Sequence, residues 1–209
     1  MASLRELSAN PPVVVLDAAS ATVQVGIIEA EASVRWCSRT EEAGVAVFQC
    51  VHELRIVPTD VKTWVYCHGP GSVLGVRTVA MALRTWGVLR PAPVFSYTSL
   101  AVVAHALDQP SSAVITDARR ETWHHYTMAT GLQRVARSDL SGSLVMPEGF
   151  RHWSHLPVGV KTVPYVLADL LPRVWDVDLL RPSVAPDAFL HEEPSYVTWT
   201  PQIHRAPAH

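Results

Sequence analysis

The chain of 209 residues contains only three cysteines, Cys37, Cys50 and Cys67, and no two of them form a C-x-x-C pair. This pattern argues against a disulfide framework or a zinc knuckle and indicates free thiols in a reducing compartment. No apolar run reaches the roughly 18 residues of a membrane span. Residues 1–12 carry charges and no long apolar stretch, so we expect no secretory signal. These absences predict a cytoplasmic protein with no membrane partner.

Acidic residues are also absent between Asp60 and Asp108, where every formal charge is positive. Two interpretations stay open: a mostly buried segment, which loses charges of both signs, or a surface that faces a partner. The net charge of −2 argues against a dedicated, strongly basic nucleic-acid binder. Hydrophobic residues make up 48% of the chain, which is enough for a sizeable core.

The first half of the chain predicts a β-meander that continues into strand–helix units. Alternating or continuous apolar residues mark the strands, and one-sided apolar periodicity marks the helices. The predicted strands lie in 13–28 (a hairpin), 33–39, 62–67 and 92–97, and the predicted helices lie in 41–56, 72–88 and 99–107. In the helix at 41–56 we expect one apolar side with Val47, Phe48, Val51 and Leu54. This order predicts an α/β fold, a mixed sheet with flanking helices.

A turn at 109–112 divides the chain into two predicted lobes, 13–108 and a smaller one at 109–200. The second lobe should contain antiparallel strands at 113–118, 122–128 and 132–137, and a helix at 163–175. No internal repeat is visible at the level of the sequence.

The loop "CHGPGSVLGVRT" at 67–78 is rich in glycine but lacks the residues of known phosphate-binding loops. A P-loop needs a lysine after its last glycine, and a dinucleotide fingerprint needs an acid about 20 residues later. Two alternatives remain: a tight turn that starts a helix, which we favour, or backbone amides that hold an anion. The second alternative gives Asp17, Ser20, Gly69, Gly71 and Ser72 as anion or nucleotide contacts.

The helix after this loop has two apolar sides. One side should pack on the sheet, and on the other Leu74, Met81 and Val88 recur every seventh residue. A helix of this kind is either sandwiched inside the fold or used at an interface, and methionine is common at adaptable contact surfaces. The expected partner interface consists of Leu74, Arg77, Thr78, Met81, Arg84, Thr85 and Val88.

Catalytic and metal sites are not predicted. The serines lack a G-x-S-x-G context. His124 and His125 are neighbours on a predicted strand and point to opposite faces, while His152 and His155 have no acid or cysteine cluster nearby.

Segments along the chain resemble, in the same order, motifs of the bacterial TsaB (YeaZ) family, an accessory subunit for threonylcarbamoyl-adenosine formation in tRNA. "GPGSVLGVRT" resembles the family's G-P-G-S-F-T-G-[LI]-R, and "ITDARRETWHHY" resembles its D-A-R-R-x-E-V-Y. The remaining similar segments are "VLDAAS", "YTSLAVVA" and, near the end, "PSYV". The similarity extends over about 13–198, although Val73 and Leu74 replace the usual Phe-Thr and Thr198 replaces a basic residue.

The resemblance implies a two-lobed actin-like, sugar-kinase-like (ASKHA) fold and a non-catalytic member of that superfamily. Active members grip phosphate with a D-x-G-[ST] hairpin, whereas this chain has Asp17-Ala18-Ala19-Ser20, whose methyl groups should impede the grip. The implied function is a scaffold that is not itself an enzyme. It would bind a TsaD-type catalytic paralogue through helices of the first lobe.

The resemblance also implies further partners and leaves alternatives open. It implies a homodimer when the chain is alone, indirect contact with tRNA, and no cofactor in the isolated chain. ATP or ADP at the partner interface and a TsaE-type ATPase as a second partner stay open. The alternative functions are a small ATP-dependent phosphotransferase and a homodimeric structural relic without a tRNA role.

The turn that contains Asp117, Arg119 and Arg120 has two interpretations. It is either a solvated turn whose ion pairs contribute about 0–1 kcal/mol each, or a contact with tRNA phosphate or the protein partner. The resemblance favours the contact.

Overall fold

The computed structural model describes residues 1–30 and 33–189. Its strands are β1 (Val13–Asp17), β2 (Val23–Ala30), β3 (Ser33–Arg39), β4 (Thr63–Gly69), β5 (Val94–Thr98), β6 (Ser112–Asp117), β7 (Thr122–Thr127), β8 (Gly131–Ala136), β9 (Ser143–Pro147), β10 (Lys161–Val163) and β11 (Arg181–Pro182). Its α-helices are α1 (Leu4–Ser8), α2 (Ala43–Glu53), α3 (Val73–Leu89), α4 (Ser99–Leu107) and α5 (Leu167–Leu170). Two 3-10 helices lie at Arg137–Asp139 and Leu171–Val174.

The strands form two sheets with the same internal plan. The first sheet has the order β11-β5-β4-β1-β2-β3 and the second has the order β10-β9-β6-β7-β8. Counted along the chain, the first three strands of each half (β1–β3 and β6–β8) form an antiparallel meander. The fourth strand (β4 or β9) pairs in parallel with the first (β1 or β6). The fifth strand pairs in parallel with the fourth. The two halves are therefore a structural duplication that the sequence does not reveal, and the predicted two-lobed α/β fold with mixed sheets is confirmed.

The helices differ between the halves. In the first half, α2 connects β3 to β4 and α3 connects β4 to β5. At the matching positions of the second half, the chain forms one short 3-10 helix and the loop at 148–160. Helix α4 contacts β4 and β5 of the first sheet and β6, β7 and β8 of the second, so it packs between the two. The second half is smaller because these connections contain no helix comparable to α2 or α3.

Two predictions about the second half need correction. The expected helix at 163–175 is instead the short helix α5 followed by a 3-10 turn, since Pro164 and Pro172 cannot donate the backbone hydrogen bonds of a long helix. Strand β11 lies at the edge of the first sheet, paired with β5, although the predicted second lobe extends over 109–200. The end of that lobe and the "PSYV" segment fall outside the described residues.

Candidate protein interface

Helix α3 begins where the sequence predicts a cap. The hydroxyl oxygen of Ser72 accepts a hydrogen bond from the backbone N–H of Gly75 at 3.2 Å, which satisfies one of the donors at the helix start. The predicted packed side is also confirmed, because the residues Val76, Val79, Ala80, Leu83 and Trp86 are buried.

The glycines of the loop allow the β1–β2 turn to approach the helix. A Cβ added at Gly71 would lie 2.3 Å from the carbonyl oxygen of Ala19, and one added at Gly75 would lie 2.1 Å from the carbonyl oxygen of Ala18. The backbone N–H of Ser72 donates to that same Ala19 oxygen at 2.7 Å. One of the backbone amides expected to hold an anion, that of Ser72, is therefore engaged by the chain's own backbone.

Asp17 is fully buried beneath this loop. Its Oδ2 atom accepts hydrogen bonds from the hydroxyls of Tyr97 at 2.6 Å and Tyr165 at 2.7 Å, and its Oδ1 atom accepts one from the N–H of Ala19 at 2.8 Å. Burial raises the pKa of the carboxyl group, against the opposing effect of these hydrogen bonds. Asp17 thus links β1 to β5 and to the segment before α5, and its carboxyl group does not face solvent.

The other expected anion contacts have structural partners as well. The hydroxyl of Ser20 donates to the carbonyl oxygen of Thr22 at 2.9 Å and accepts from the N–H of Thr22 at 3.2 Å. Gly69 lies beside Phe189, whose N–H donates to the carbonyl oxygen of His68 at 2.7 Å. These contacts indicate a closed, self-contained turn region.

The outer side of α3 is exposed, as the two-sided pattern suggests for an interface helix. Leu74 is 69% exposed, Met81 is 56% exposed and Val88 is 85% exposed. The hydroxyls of Thr78 and Thr85 donate to carbonyl oxygens one turn earlier in the same helix, each at 2.9 Å. Since these hydroxyls are internally satisfied, they present mainly methyl groups at the surface.

Helix α2 extends this apolar surface, which sequence reasoning missed. Phe48 was expected on the apolar side with Val47, but the structure leaves 49% of Phe48 exposed while Val47 is buried. Val45 is exposed one turn earlier on the same helix, and α2 packs against α3. Five of the exposed apolar residues of these two helices are called the helix face: Val45, Phe48, Leu74, Met81 and Val88. The contact of α2 with α3 depends on the tertiary fold, so the sequence carried no signal for it.

The two arginines of the predicted interface contact the C-terminal part of the described chain. Arg77 and Arg84 approach the carboxylate of Asp187 at 3.7 Å and 3.5 Å, and all three side chains are about half exposed. Asp187 is itself held in place, because its N–H donates to the hydroxyl of Tyr66 and that hydroxyl donates to its carbonyl oxygen, both at 3.1 Å. The positive charge beside the helix face is therefore partly neutralised.

The second predicted contact region lies at the end of the second sheet, on a different part of the fold. Asp117 accepts hydrogen bonds from the N–H groups of Arg119 at 2.6 Å, and of Trp153 and Ser154 at 2.7 Å each. Burial acts to raise the pKa of Asp117, but these three donors outweigh it and lower the pKa below its usual value. Asp117 thus ties the β6–β7 turn to the loop at 148–160, and it stabilises that turn rather than offering a contact.

Metal binding has no support within the described residues, where no group of three or more histidine, cysteine or acidic side chains could hold an ion. None of the helices described is long and apolar enough to cross a membrane.

The repeated sheets and the central helix have the arrangement of the two-lobed actin-like fold. Among solved structures, the fold is similar to that of YeaZ from Pseudomonas aeruginosa, with a TM-score of 0.52 and 16% identity over 66% of this chain and 76% of that one. It is also similar to that of an uncharacterized protein with similarity to peptidase YeaZ from Pseudomonas aeruginosa, with a TM-score of 0.54 and 15% identity over 78% of this chain and 90% of that one. No family model and no curated protein matches the sequence. At this identity the likenesses show the fold.

Proposed function

We propose that the chain is a non-catalytic scaffold subunit of the TsaB type. It binds a TsaD-type catalytic paralogue and so supports threonylcarbamoyl-adenosine modification of tRNA in the cytoplasm. The observation that carries the proposal is the helix face, an apolar surface on two packed helices of the first sheet. The family motifs in the sequence and the YeaZ-like fold support the choice of partner.

The helix face has the properties of a contact surface. Fully burying a leucine, methionine, valine or phenylalanine side chain contributes about 1.5–3 kcal/mol. Leu74, Met81 and Val88 recur every seventh residue along α3, and Phe48 of α2 contacts Trp86 of α3. Association costs several kcal/mol in lost freedom, and only the surplus appears as affinity. A few well-packed side chains can supply that surplus, as is usual at interfaces.

The arrangement around Asp17 supports a non-catalytic role. In the actin-like superfamily, the hairpin after the first strand grips phosphate in active enzymes, as the resemblance implies. Here the carboxylate of Asp17 binds two tyrosine hydroxyls, and the carbonyl oxygen of Ala19 takes the amide of Ser72. A phosphate group would have to displace these contacts.

The same face serves a second purpose in this proposal. In the absence of the paralogue, two copies of the chain pair through their helix faces, so the homodimer and the heterodimer exclude each other. A TsaE-type ATPase and a nucleotide, ATP or ADP, join only at the assembled interface. Contact with tRNA in the modification step occurs mainly through the catalytic subunit.

The test is size-exclusion chromatography of the chain with the purified TsaD-type paralogue of the same organism. We expect co-elution of the wild-type proteins at micromolar concentration and its loss in Met81→Glu, because a carboxylate buried in an apolar interface is strongly disfavoured. Val158→Glu is the matched control, since Val158 is exposed on the loop at 148–160, outside the helix face. Co-elution that survives Met81→Glu would place the partner elsewhere, and no co-elution of the wild type would refute the proposal.

A further inference from the structure

The end of the second sheet carries a cluster of arginines around an exposed tryptophan. Arg119 and Arg120 lie in the β6–β7 turn, and Arg151 and Trp153 lie in the loop at 148–160. All four residues are exposed, and Trp153 shows 58% of its surface to solvent. They are called the Trp153 surface. An exposed tryptophan is uncommon and asks for an explanation, because burying its ring would be favourable.

Trp153 is held in a defined position with one face covered. The guanidinium carbon of Arg119 lies 4.3 Å from the centroid of the Trp153 ring, in a cation–π contact. The backbone of Trp153 is fixed by its hydrogen bond to Asp117. The loop is fixed again further on, where the Arg137 guanidinium donates to the carbonyl oxygens of His155 at 2.5 Å and Leu156 at 3.5 Å. The backbone of Trp153 and one face of its ring are therefore already held by contacts within the chain.

The turn that carries the arginines is strained. Arg119, Arg120 and Glu121 have φ angles of 65°, 51° and 56°, a left-handed conformation that costs energy in residues other than glycine. Asp117 sustains this conformation by accepting the N–H of Arg119. The turn places the Arg119 side chain over Trp153 with Arg120 next to it in the chain, and strained backbone of this kind clusters at binding sites.

We propose that the Trp153 surface binds single-stranded RNA. A base stacks on the open face of Trp153, opposite Arg119, and the phosphates on either side contact Arg120 and Arg151. A stacked aromatic–arginine pair is a common platform for unpaired bases, and adjacent guanidinium groups match phosphate oxygens in bidentate geometry. An acidic protein would use the arginines as well, and competition by poly-glutamate distinguishes it from RNA in the experiment below.

The carboxylates of the region do not oppose this binding mode. Asp117 is buried and bonded to three backbone N–H groups, so its charge is already compensated. Glu121 and Glu148 are exposed, and their presence limits the surface to a few phosphates rather than a long basic track. This site is separate from the helix face and its argument does not depend on the proposed scaffold function.

The experiment measures fluorescence anisotropy of a labelled, unstructured RNA of about 12 nucleotides with the full chain at low salt. We expect saturable binding that a duplex of equal length does not reproduce. Trp153→Ala should weaken binding about 5- to 100-fold, whereas Trp153→Phe, which keeps a stacking ring, should retain most of it. Arg120→Ala and Arg151→Ala should each make the affinity less dependent on salt, reducing the magnitude of the slope of log affinity against log salt concentration by about 0.7. Arg173→Ala removes an exposed arginine in the 3-10 turn after α5 and should leave the affinity and the slope unchanged.

Several results would overturn the proposal. One is the absence of binding by the wild-type chain at low salt, and another is equal affinity of the Trp153→Ala and wild-type chains. Poly-glutamate that competes as well as unlabelled RNA would assign the surface to an acidic protein instead. If Trp153→Ala fails to fold by circular dichroism, the exposed charge reversals Arg120→Glu and Arg151→Glu decide the matter, since both must abolish RNA binding.

Discussion

Phe48 of α2 meets Trp86 of α3 edge to face, with ring centroids 6.1 Å apart and an interplanar angle of 83°. Trp86 in turn stacks on Trp64 of β4, with centroids 4.8 Å apart. Through this chain of rings, a half-exposed residue of one helix is fixed against the other helix and the sheet below. The helix face is thus a rigid surface rather than two independent helices.

Phe48→Ala should weaken pairing with the TsaD-type partner at least tenfold and lower the free energy of unfolding by about 1 kcal/mol, since an edge-to-face pair contributes about 0.5–1.5 kcal/mol. Isothermal titration calorimetry and urea unfolding measure the two effects. Val47→Ala, at the buried neighbour, should lower the free energy of unfolding but leave the affinity of the folded protein for the partner unchanged. Equal effects of both variants on affinity would contradict a role for the exposed ring.

Gly75→Ala should destabilise the protein by more than about 3 kcal/mol, beyond the usual range for single substitutions, because the new Cβ would overlap the Ala18 carbonyl oxygen, which is backbone. Gly87→Ala is the matched control within the same helix. A Cβ at Gly87 would meet no atom within 4 Å, so that variant should be more stable by about 0.5–1 kcal/mol. Thermal melting of both variants checks the prediction, and equal melting temperatures would show that the turn can move away from the helix.

The isolated chain should not bind ATP with magnesium in calorimetry, since Asp17 and the amide of Ser72 are already engaged. Ala19→Gly restores the D-x-G-S pattern of phosphate-gripping hairpins, yet we expect no gain, because the carbonyl oxygen at this position still accepts the Ser72 N–H. Tight binding by the wild-type chain would favour the phosphotransferase alternative. Binding by Ala19→Gly alone would show that the methyl group, and not the closed turn, blocks the site.

The contribution of Asp117 to the stability of the fold should be greatest at pH values above the ordinary carboxyl pKa. Its pKa is lowered in the folded state, so its contribution is present above the unfolded value of 3.8 and is lost as the pH falls through the lower, folded value. Asp117→Asn should cost about 1.5–3 kcal/mol at neutral pH, the range for hydrogen bonds to charged groups. The difference between variant and wild type should shrink below the unfolded pKa. Urea unfolding across acidic pH measures this, and a constant difference would refute the charge-based explanation.

The sequence by itself determined what depends on local spacing. The strands and the two apolar sides of α3 follow from apolar periods of two and 3.6 residues, and the cap follows from the serine at position 72. These signals lie within a few residues of each other in the chain. The alternation also predicted the order of strands and helices in the first half. The exposed row of Leu74, Met81 and Val88 was predictable for the same reason.

The tertiary structure decided what depends on residues far apart in the chain. The carboxylate of Asp17 accepts hydrogen bonds from Tyr97 and Tyr165, Arg119 lies over the ring of Trp153, and Phe48 packs edge to face on Trp86. The duplicated sheet order has no sequence signal either. Strand pairing is made by backbone hydrogen bonds, so the same strand order is compatible with many different side chains. Such contacts arise only when burial of the whole core brings distant segments together. They close the glycine-rich loop as a tight turn from which α3 begins, with one side of the helix exposed.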